Sequence, residues 1–285
     1  MLYRSSPRPC GKFLSRKDER MHIIVCMKQV PDPEGPKDAF EINQDSGLVE
    51  PRGIPPVLSL FDENALEMAL RIKNVHPAGA TISVLSIGKR ISNAVMFKAL
   101  AAGADELVKV EDDSLDAGCL DCFSTAQVLA AAISKLPHDL IIVGRQSADF
   151  NDGQVGIGLA HILNFPGVTM ARAITVQGGD IKIERVLANG YEVVSAPIPA
   201  VIMASNEVGE LRYPSMIQRR EAKQKPVQAW GLKDINLASL PSARLMRKRI
   251  YASELKLRKC RIIGGSTPTE AGRNLAIQLK EDRVI

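Results

Sequence analysis

The residues whose spacing could do chemistry lie in LIIVGRQSADFNDGQVGIGLA, residues 140–160. An apolar run stops at Gly144, a mostly polar loop follows, and glycines at 153, 156 and 158 lead into an apolar, helix-like segment. A helix beginning near Gly153 would present unpaired N–H groups and partial positive charge at its start, which attracts phosphate. Glycine lets such an anion come close to the backbone. The order is G-x-x-G-x-G, not the G-x-G-x-x-G of dinucleotide folds, and G-x-x-x-x-G-K-[ST] occurs nowhere, which excludes a P-loop ATPase. On the residues alone two readings stand: a nucleotide sits on this loop, or the glycines only pack a helix close to a sheet.

Other reactive residue types are scattered. The four histidines (His22, His76, His138, His161) are dispersed, and no Ser/His/Asp or Cys/His set stands out. Cys119 and Cys122 form a C-x-x-C without the second pair that a zinc site needs, so they read as small residues opening a helix. The five cysteines are an odd, dispersed set, as expected in a reducing compartment, and we expect a cytoplasmic protein in preference to one of the mitochondrial matrix. The net charge of +5 belongs mostly to residues 1–20, where six Lys/Arg face two carboxylates. Excess charge on a tail gives little support to nucleic-acid binding. That segment is rich in Arg and Ser and reads as a disordered or leader-like extension ahead of Met21. With 45% hydrophobic and 24% charged residues the composition is that of an ordinary globular protein. No apolar run approaches the roughly 18–20 residues that cross a bilayer, so direct membrane insertion is not expected.

The elements that would position the loop follow from periodicity. HIIVCM (22–27), TISVLSIG (81–88), ELVKV (106–110) and DLIIVG (139–144) are short and nearly all apolar, as strands covered on both faces are. Between them lie helical patterns at 62–74, capped by Asp62, at 92–103, from Ser92 to Gly103, and at 124–135, capped by Ser124. Strand–helix alternation implies an α/β, doubly wound, mainly parallel sheet. The proline-rich connection 31–61 is long enough to be functional. After Pro166, VTMARAITV, DIKIERV and YEVVSA predict an antiparallel meander, and PAVIMAS (199–205) returns to buried-strand character. From residue 206 to about 266 regularity fades and Lys and Arg are dense, which reads as an extended arm. A last helix spans 267–282, capped by Thr267. The expected division is an α/β nucleotide-binding domain over 21–205, and a partner-recognition loop with a C-terminal arm over 206–285.

VCMKQVPDP (25–33), LFDENALEMALRIK (60–73), ALAAGADELVKV (99–110), VGRQSADFNDGQVG (143–156), PIPAVIMAS (197–205) and ELRYPS (210–215), in this order and spacing, resemble the β subunit of electron transfer flavoproteins across residues 21–285. The resemblance implies a heterodimer with an α subunit that holds most of a redox-active FAD. It also implies an adenine nucleotide in the β-subunit pocket, either AMP or part of a second FAD as in electron-bifurcating members. Carried over, the pocket would use Cys26, the turn Ser59, Leu60, Phe61 and Asp62, and Ile87. Its phosphate loop would be Gly144, Arg145, Gln146, Ser147, Ala148, Asp149, Phe150, Asn151, Asp152, Gly153, Gln154 and Val155. The implied partners are flavin dehydrogenases and a membrane quinone reductase.

Two departures matter. Where relatives carry a docking leucine and Asn-Glu-Pro-Arg-Tyr, this chain has Val208 and then Gly209-Glu210-Leu211-Arg212-Tyr213, so recognition would rest on Val208, Leu211, Arg212 and Tyr213. Bifurcating relatives tend to read Asp-Gly-Asp-Thr-x-Gln-Val-Gly, whereas Phe150 and Asp152 here are unfavourable beside a diphosphate. That favours AMP over FAD. The rival of another class is a stand-alone adenine-nucleotide sensor or adenylating enzyme, which would need a triphosphate cradle that the sequence does not offer.

Overall fold

The computed structural model describes residues 20–43, 48–76, 78–116, 120–246, 248, 250–251 and 260–285; the leader-like extension up to residue 19 and Cys119 lie outside them. Elements follow in chain order. Strand β1 (Met21–Cys26) leads through β2 (Gln29–Pro31), β3 (Phe40–Asn43), β4 (Leu48–Pro51) and β5 (Pro56–Leu58) to helix α1 (Leu60–Val75). Then come β6 (Ala80–Gly88), α2 (Asn93–Ala102), β7 (Glu106–Glu111), α3 (Cys122–Ile133), β8 (Leu140–Gly144) and α4 (Val155–Leu163). The meander is β9 (Gly167–Gln177), β10 (Asp180–Leu187) and β11 (Gly190–Pro197), followed by β12 (Ala200–Ala204), α5 (Met216–Ala222), β13 (Val227–Trp230) and α6 (Pro268–Glu281). The proline-rich connection folds as two small antiparallel pairs, β2 with β5 and β3 with β4.

The nine-stranded sheet has the order β11-β10-β9-β12-β8-β1-β6-β7-β13. The run from β9 through β13 in that order is parallel, and only β9–β10 and β10–β11 pair antiparallel. The expected doubly wound, mainly parallel sheet with a meander is therefore present. Alternate side chains of the apolar strands feed two cores. Ile23, Val25, Leu140 and Ile142 pack with α1 and α2, whereas Ile24, Cys26, Ile141 and Val143 pack with α3 and α4. Both faces are covered, which is why these strands read as continuous apolar runs. From β1 the chain winds to β6 and β7 on one side, then returns to β8 on the other. This reversal opens a crevice at the carboxyl ends of β1 and β8.

Local boundaries differ from expectation in instructive ways. Ser59, not Asp62, stands at the N-cap position of α1, without a side-chain cap hydrogen bond, and Asp62 is buried in the first turn. Asp121, not Ser124, caps α3, with Ser124 completing a capping box. The helix expected near Gly153 begins at Val155. Within the stretch that looked irregular, Ser215 and Gln218 form a capping box for α5, and β13 extends the central sheet. The chain forms two compact units, Met1–Ile250 and Tyr251–Ile285. In the second, α6 begins at the expected Thr267 cap and has no buried residue. No helix among the described residues is long and apolar enough to cross a membrane.

Candidate functional site

A cavity of about 410 Å³ opens at the carboxyl ends of β1, β6 and β8, within the ~300–1,000 Å³ usual for cofactor sites. Its floor is Cys26 and Val143, its inner wall Asp62 and Gly144, and its outer wall Leu120, Asp121, Cys122 and Thr125. Gly144 has no room for a side chain: a Cβ there would run into the Asp62 carboxylate and come within 2.8 Å of the Phe61 carbonyl oxygen. The end of β8 and the start of α1 thus touch through backbone.

The loop leaving β8 is held from within. Asn151 N–H donates to the Ser147 carbonyl at 3.0 Å, and the Gln146 amide donates to Asn151 Oδ1 at 2.7 Å. Asp149 accepts from Lys28 Nζ at 2.6 Å, and that same ammonium lies 4.9 Å from the Phe150 ring centroid. Asn151 and Gly153 have φ of 57° and 66°, the left-handed region that glycine enters without steric penalty. Gly156 is required for a different reason, since a Cβ there would lie 2.8 Å from Val143 Cγ2 and would also strike Met203. The rival readings of the glycines are therefore both present in the fold: Gly156 packs a helix against the sheet, whereas Gly153 shapes the loop.

Two helices begin at this cavity, and they differ electrostatically. The start of α3 is fully capped, because Asp121 Oδ1 accepts from Ser124 N–H at 2.7 Å. Burial opposes ionisation of Asp121, but hydrogen bonds from Ser124, Leu245 and Arg244 outweigh it and hold the carboxyl at about 2. The start of α4, whose Gln154, Val155 and Gly156 line the cavity, has Gln154 at the cap position with no side-chain cap hydrogen bond, so no side chain caps its first N–H groups. At the inner wall, burial pushes Asp62 up to about 7 in spite of the hydrogen bond it accepts from Lys28 N–H at 2.8 Å. Burial, reinforced by Asp62, pushes the Cys26 thiol up as well.

Of the expected pocket residues, Cys26, Asp62, Ile87, Gly144, Arg145, Gln146, Ser147, Phe150, Asp152, Gly153, Gln154 and Val155 line the cavity. Ser59, Leu60, Phe61, Ala148, Asp149 and Asn151 do not. Several of these support the wall instead: Phe61 underlies the Arg145 guanidinium at 4.7 Å, and Asp149 and Asn151 brace the loop. Sequence reasoning missed Lys28 and Gln29 after β1, Lys89 and Arg90 after β6, and Leu115, Asp116, Leu120, Asp121 and Cys122 on the way into α3. The available signal was topological, since every strand end on the winding side contributes a loop to the crevice.

The expected recognition residues are not brought together at the surface. Val208 is only 2% exposed and belongs to the core, and Leu211 packs against that core half-buried. Arg212 forms a two-pronged pair with the Glu67 carboxylate, at 2.9 Å on each oxygen. Asn64 also donates to the Gly209 carbonyl at 2.6 Å, so the loop is clamped onto α1. Tyr213 is 96% exposed, and its neighbours Met216 and Ile217 are 75% and 70% exposed.

The electron transfer flavoprotein domain matches residues 48–235. The chain is 36% identical to an electron transfer flavoprotein subunit beta of Clostridium acetobutylicum over 217 residues, 76% of this chain and 81% of the relative. It is 32% identical to the caffeyl-CoA reductase-Etf complex subunit CarD of Acetobacterium woodii over 270 residues, 93% of this chain and all of the relative. A further electron transfer flavoprotein subunit beta, from Thermoanaerobacterium thermosaccharolyticum, is 35% identical over 69% of this chain and 72% of its own length. With the doubly wound sheet, the switch-point cavity and the domain match in agreement, the chain belongs to the electron transfer flavoprotein family as a β subunit and serves in electron transfer.

Proposed function

We propose that this chain pairs with an electron transfer flavoprotein α subunit that holds most of a redox-active FAD, and that its own cavity holds AMP. The single observation that carries the AMP assignment is the contrast between the two helix starts. An anion is unfavourable beside the ionised, fully used Asp121 cap of α3. It is favourable at the uncapped start of α4, where helix charge and free N–H groups coincide. Gly153, Gln154 and Val155 would take the phosphate, and the apolar floor around Leu85, Ile87 and Val143 would receive the base. Phe150 and Asp152 also line the cavity, and a bulky ring with an added carboxylate suits a single phosphate better than a diphosphate.

A second reading, part of a second FAD, draws on one feature: Lys28, Lys89 and Arg90 extend the lining beyond the α4 loop and offer charge to a longer ligand. On either reading electrons would pass between flavin dehydrogenases and a downstream acceptor such as a quinone reductase. The name of the Acetobacterium relative points to an acyl-CoA oxidoreductase among such partners. Because Val208 is buried, docking would fall to Tyr213, Met216 and Ile217, the exposed apolar side chains of that loop and the helix it enters. Quantifying flavin and adenine nucleotide released from the copurified heterodimer tests the reading. One FAD and one AMP are expected, two FAD support the second reading, and a heterodimer that releases no adenine nucleotide beyond one FAD overturns both.

A further inference from the structure

β13 runs parallel to β7, with Val227 opposite Leu107 and Trp230 opposite Val110. The chain therefore leaves the sheet at the carboxyl ends of the strands, the same edge on which the cavity opens. Leu232 and Ile235 are buried in the core on the α3–α4 side, with Leu237 and Leu240 packed against it. The backbone N–H groups of Arg244 and Leu245 then both donate to Asp121 Oδ2, at 2.7 and 2.9 Å. The Arg244 guanidinium lies 3.9 Å from the centroid of the neighbouring Phe123 ring. The other oxygen, Oδ1, accepts from the N–H and hydroxyl of Ser124 at 2.7 and 2.6 Å. One carboxylate thus joins three things: the start of α3, the outer wall of the cavity, and the segment leading to the C-terminal unit. Cys122, next to it, donates from Sγ to Gln154 Oε1 at 3.4 Å, so the wall also touches the loop that starts α4.

We propose that Asp121 is a positioning residue that latches residues 240–246 to the cavity wall, and that this latch is linked to nucleotide retention. The proposal rests on the reading that the cavity holds an adenine nucleotide. The physical link is charge. While the segment is latched, two N–H groups cover Oδ2. When it lets go, a bare carboxylate oxygen faces the same cavity as the phosphate, and like charges in a partly desolvated site disfavour each other. By reciprocity, bound nucleotide must favour the latched segment by the same factor.

Two substitutions separate this link from simple scaffolding. Leu245→Pro removes one N–H donor and leaves the Asp121 charge in place. Asp121→Asn keeps a good helix cap but cannot serve both Ser124 and the outgoing segment with one oxygen, and it carries no charge. The experiment uses the full-length chain loaded with radiolabelled AMP, with far-UV circular dichroism to confirm the fold. Release of AMP and trypsin cleavage after Lys248 are followed together. Leu245→Pro should speed both by about tenfold, the scale of one charge-assisted hydrogen bond. Asp121→Asn should speed cleavage to a similar degree but release AMP more slowly than Leu245→Pro, because the charge that would face the phosphate is gone. In wild type, saturating AMP should slow cleavage. If both variants lose AMP equally, Asp121 is scaffolding and the charge link is wrong. If neither variant exposes the segment, the latch itself is wrong. Wild-type chain that binds no AMP overturns the nucleotide reading and the linkage with it, while the cleavage results still judge the latch.

Discussion

Replacing Asp62 with asparagine should abolish a pH dependence that the wild-type fold carries. Asp62 is 7% exposed at the cavity wall, and burial pushes its carboxyl from 3.8 to about 7, against the opposing effect of the Lys28 N–H and charge. The unfolded chain releases this proton near its ordinary pKa, while the folded chain keeps it until about pH 7. Between those values the native state holds more protons, so stability falls as pH rises, and it levels off above the native pKa. A gap of about 3 pH units corresponds to ~4 kcal/mol in full. Roughly 2.5 kcal/mol of that lies between pH 5 and pH 8, most of it below pH 7. Asparagine stays neutral throughout, and its amide oxygen still accepts from Lys28 N–H in the place of Oδ2. Urea denaturation from pH 5 to pH 8, with constant m-values as the check on two-state behaviour, gives the free-energy difference between wild type and Asp62→Asn. That difference should move by about 2.5 kcal/mol in favour of the variant as pH rises. A difference that stays constant across the range would refute the assignment of a buried, neutral carboxyl at the cavity wall.

Gly153→Val should weaken AMP retention about tenfold, because a β-branched residue at its φ of 66° is strained by ~1–2 kcal/mol; full AMP occupancy of the purified variant would show that the loop backbone does not hold the phosphate. Gly156→Ala should lower stability by ~1–3 kcal/mol through overpacking against Val143 and Met203, read as a lower denaturation midpoint with an unchanged m-value. Arg212→Ala should cost about 1–3 kcal/mol at neutral pH by stripping hydrogen bonds from Glu67, whose side chain is only 7% exposed. Burial opposes the ionised form of Glu67, but the bonds from Arg212 and Arg71 outweigh it and hold its pKa below the usual value. The wild-type advantage should therefore be full above the unfolded Glu pKa and fade as pH falls through the native one.

What could be read from the sequence was what periodicity and adjacency encode. Strands covered on both faces appear as apolar runs, so β1, β6, β7 and β8 were legible to within a residue or so. Ser92 and Gly103 flank α2 as a capped helix should. The failures share a cause, namely that the deciding partner is distant in sequence. Asp62 resembles a cap, yet its carboxylate is drawn inward by the Lys28 N–H, 34 residues away. β13 has only four residues, three of them exposed, and it is a strand because β7 offers an open edge. Val208, expected as a docking residue, is buried in the fold, and the carbonyl of its neighbour Gly209 is held by Asn64, 145 residues away. Lys89 and Arg90 carry no local motif, and with Lys28 they reach one cavity because β1 and β6 end beside each other.

The cavity also explains why a site with thiols, carboxylates and cations suits holding a cofactor more than bond-making. A thiol reacts as its thiolate, and Cys26 is kept in the thiol form by burial and by Asp62. Cys122 is shifted the same way by burial, with Asp121 and Asp152 adding to it. Three of the charged groups already have partners: Lys28 has Asp149 and Phe150, Arg145 has Asn206 and Phe61, and Asp121 has four hydrogen bonds. The start of α4, which has no side-chain cap, and the apolar floor would bind and orient a ligand without making or breaking a covalent bond. The same framework reaches the segment clamped onto α1. Arg145 N–H bonds the Ala204 carbonyl at 3.1 Å, and its guanidinium bonds Asn206 at 3.2 Å, two residues before Val208. On the proposed reading, a nucleotide that holds the loop after β8 would also hold the base of the segment that ends at Tyr213, and the distance to a partner docked there would depend on that base being held still.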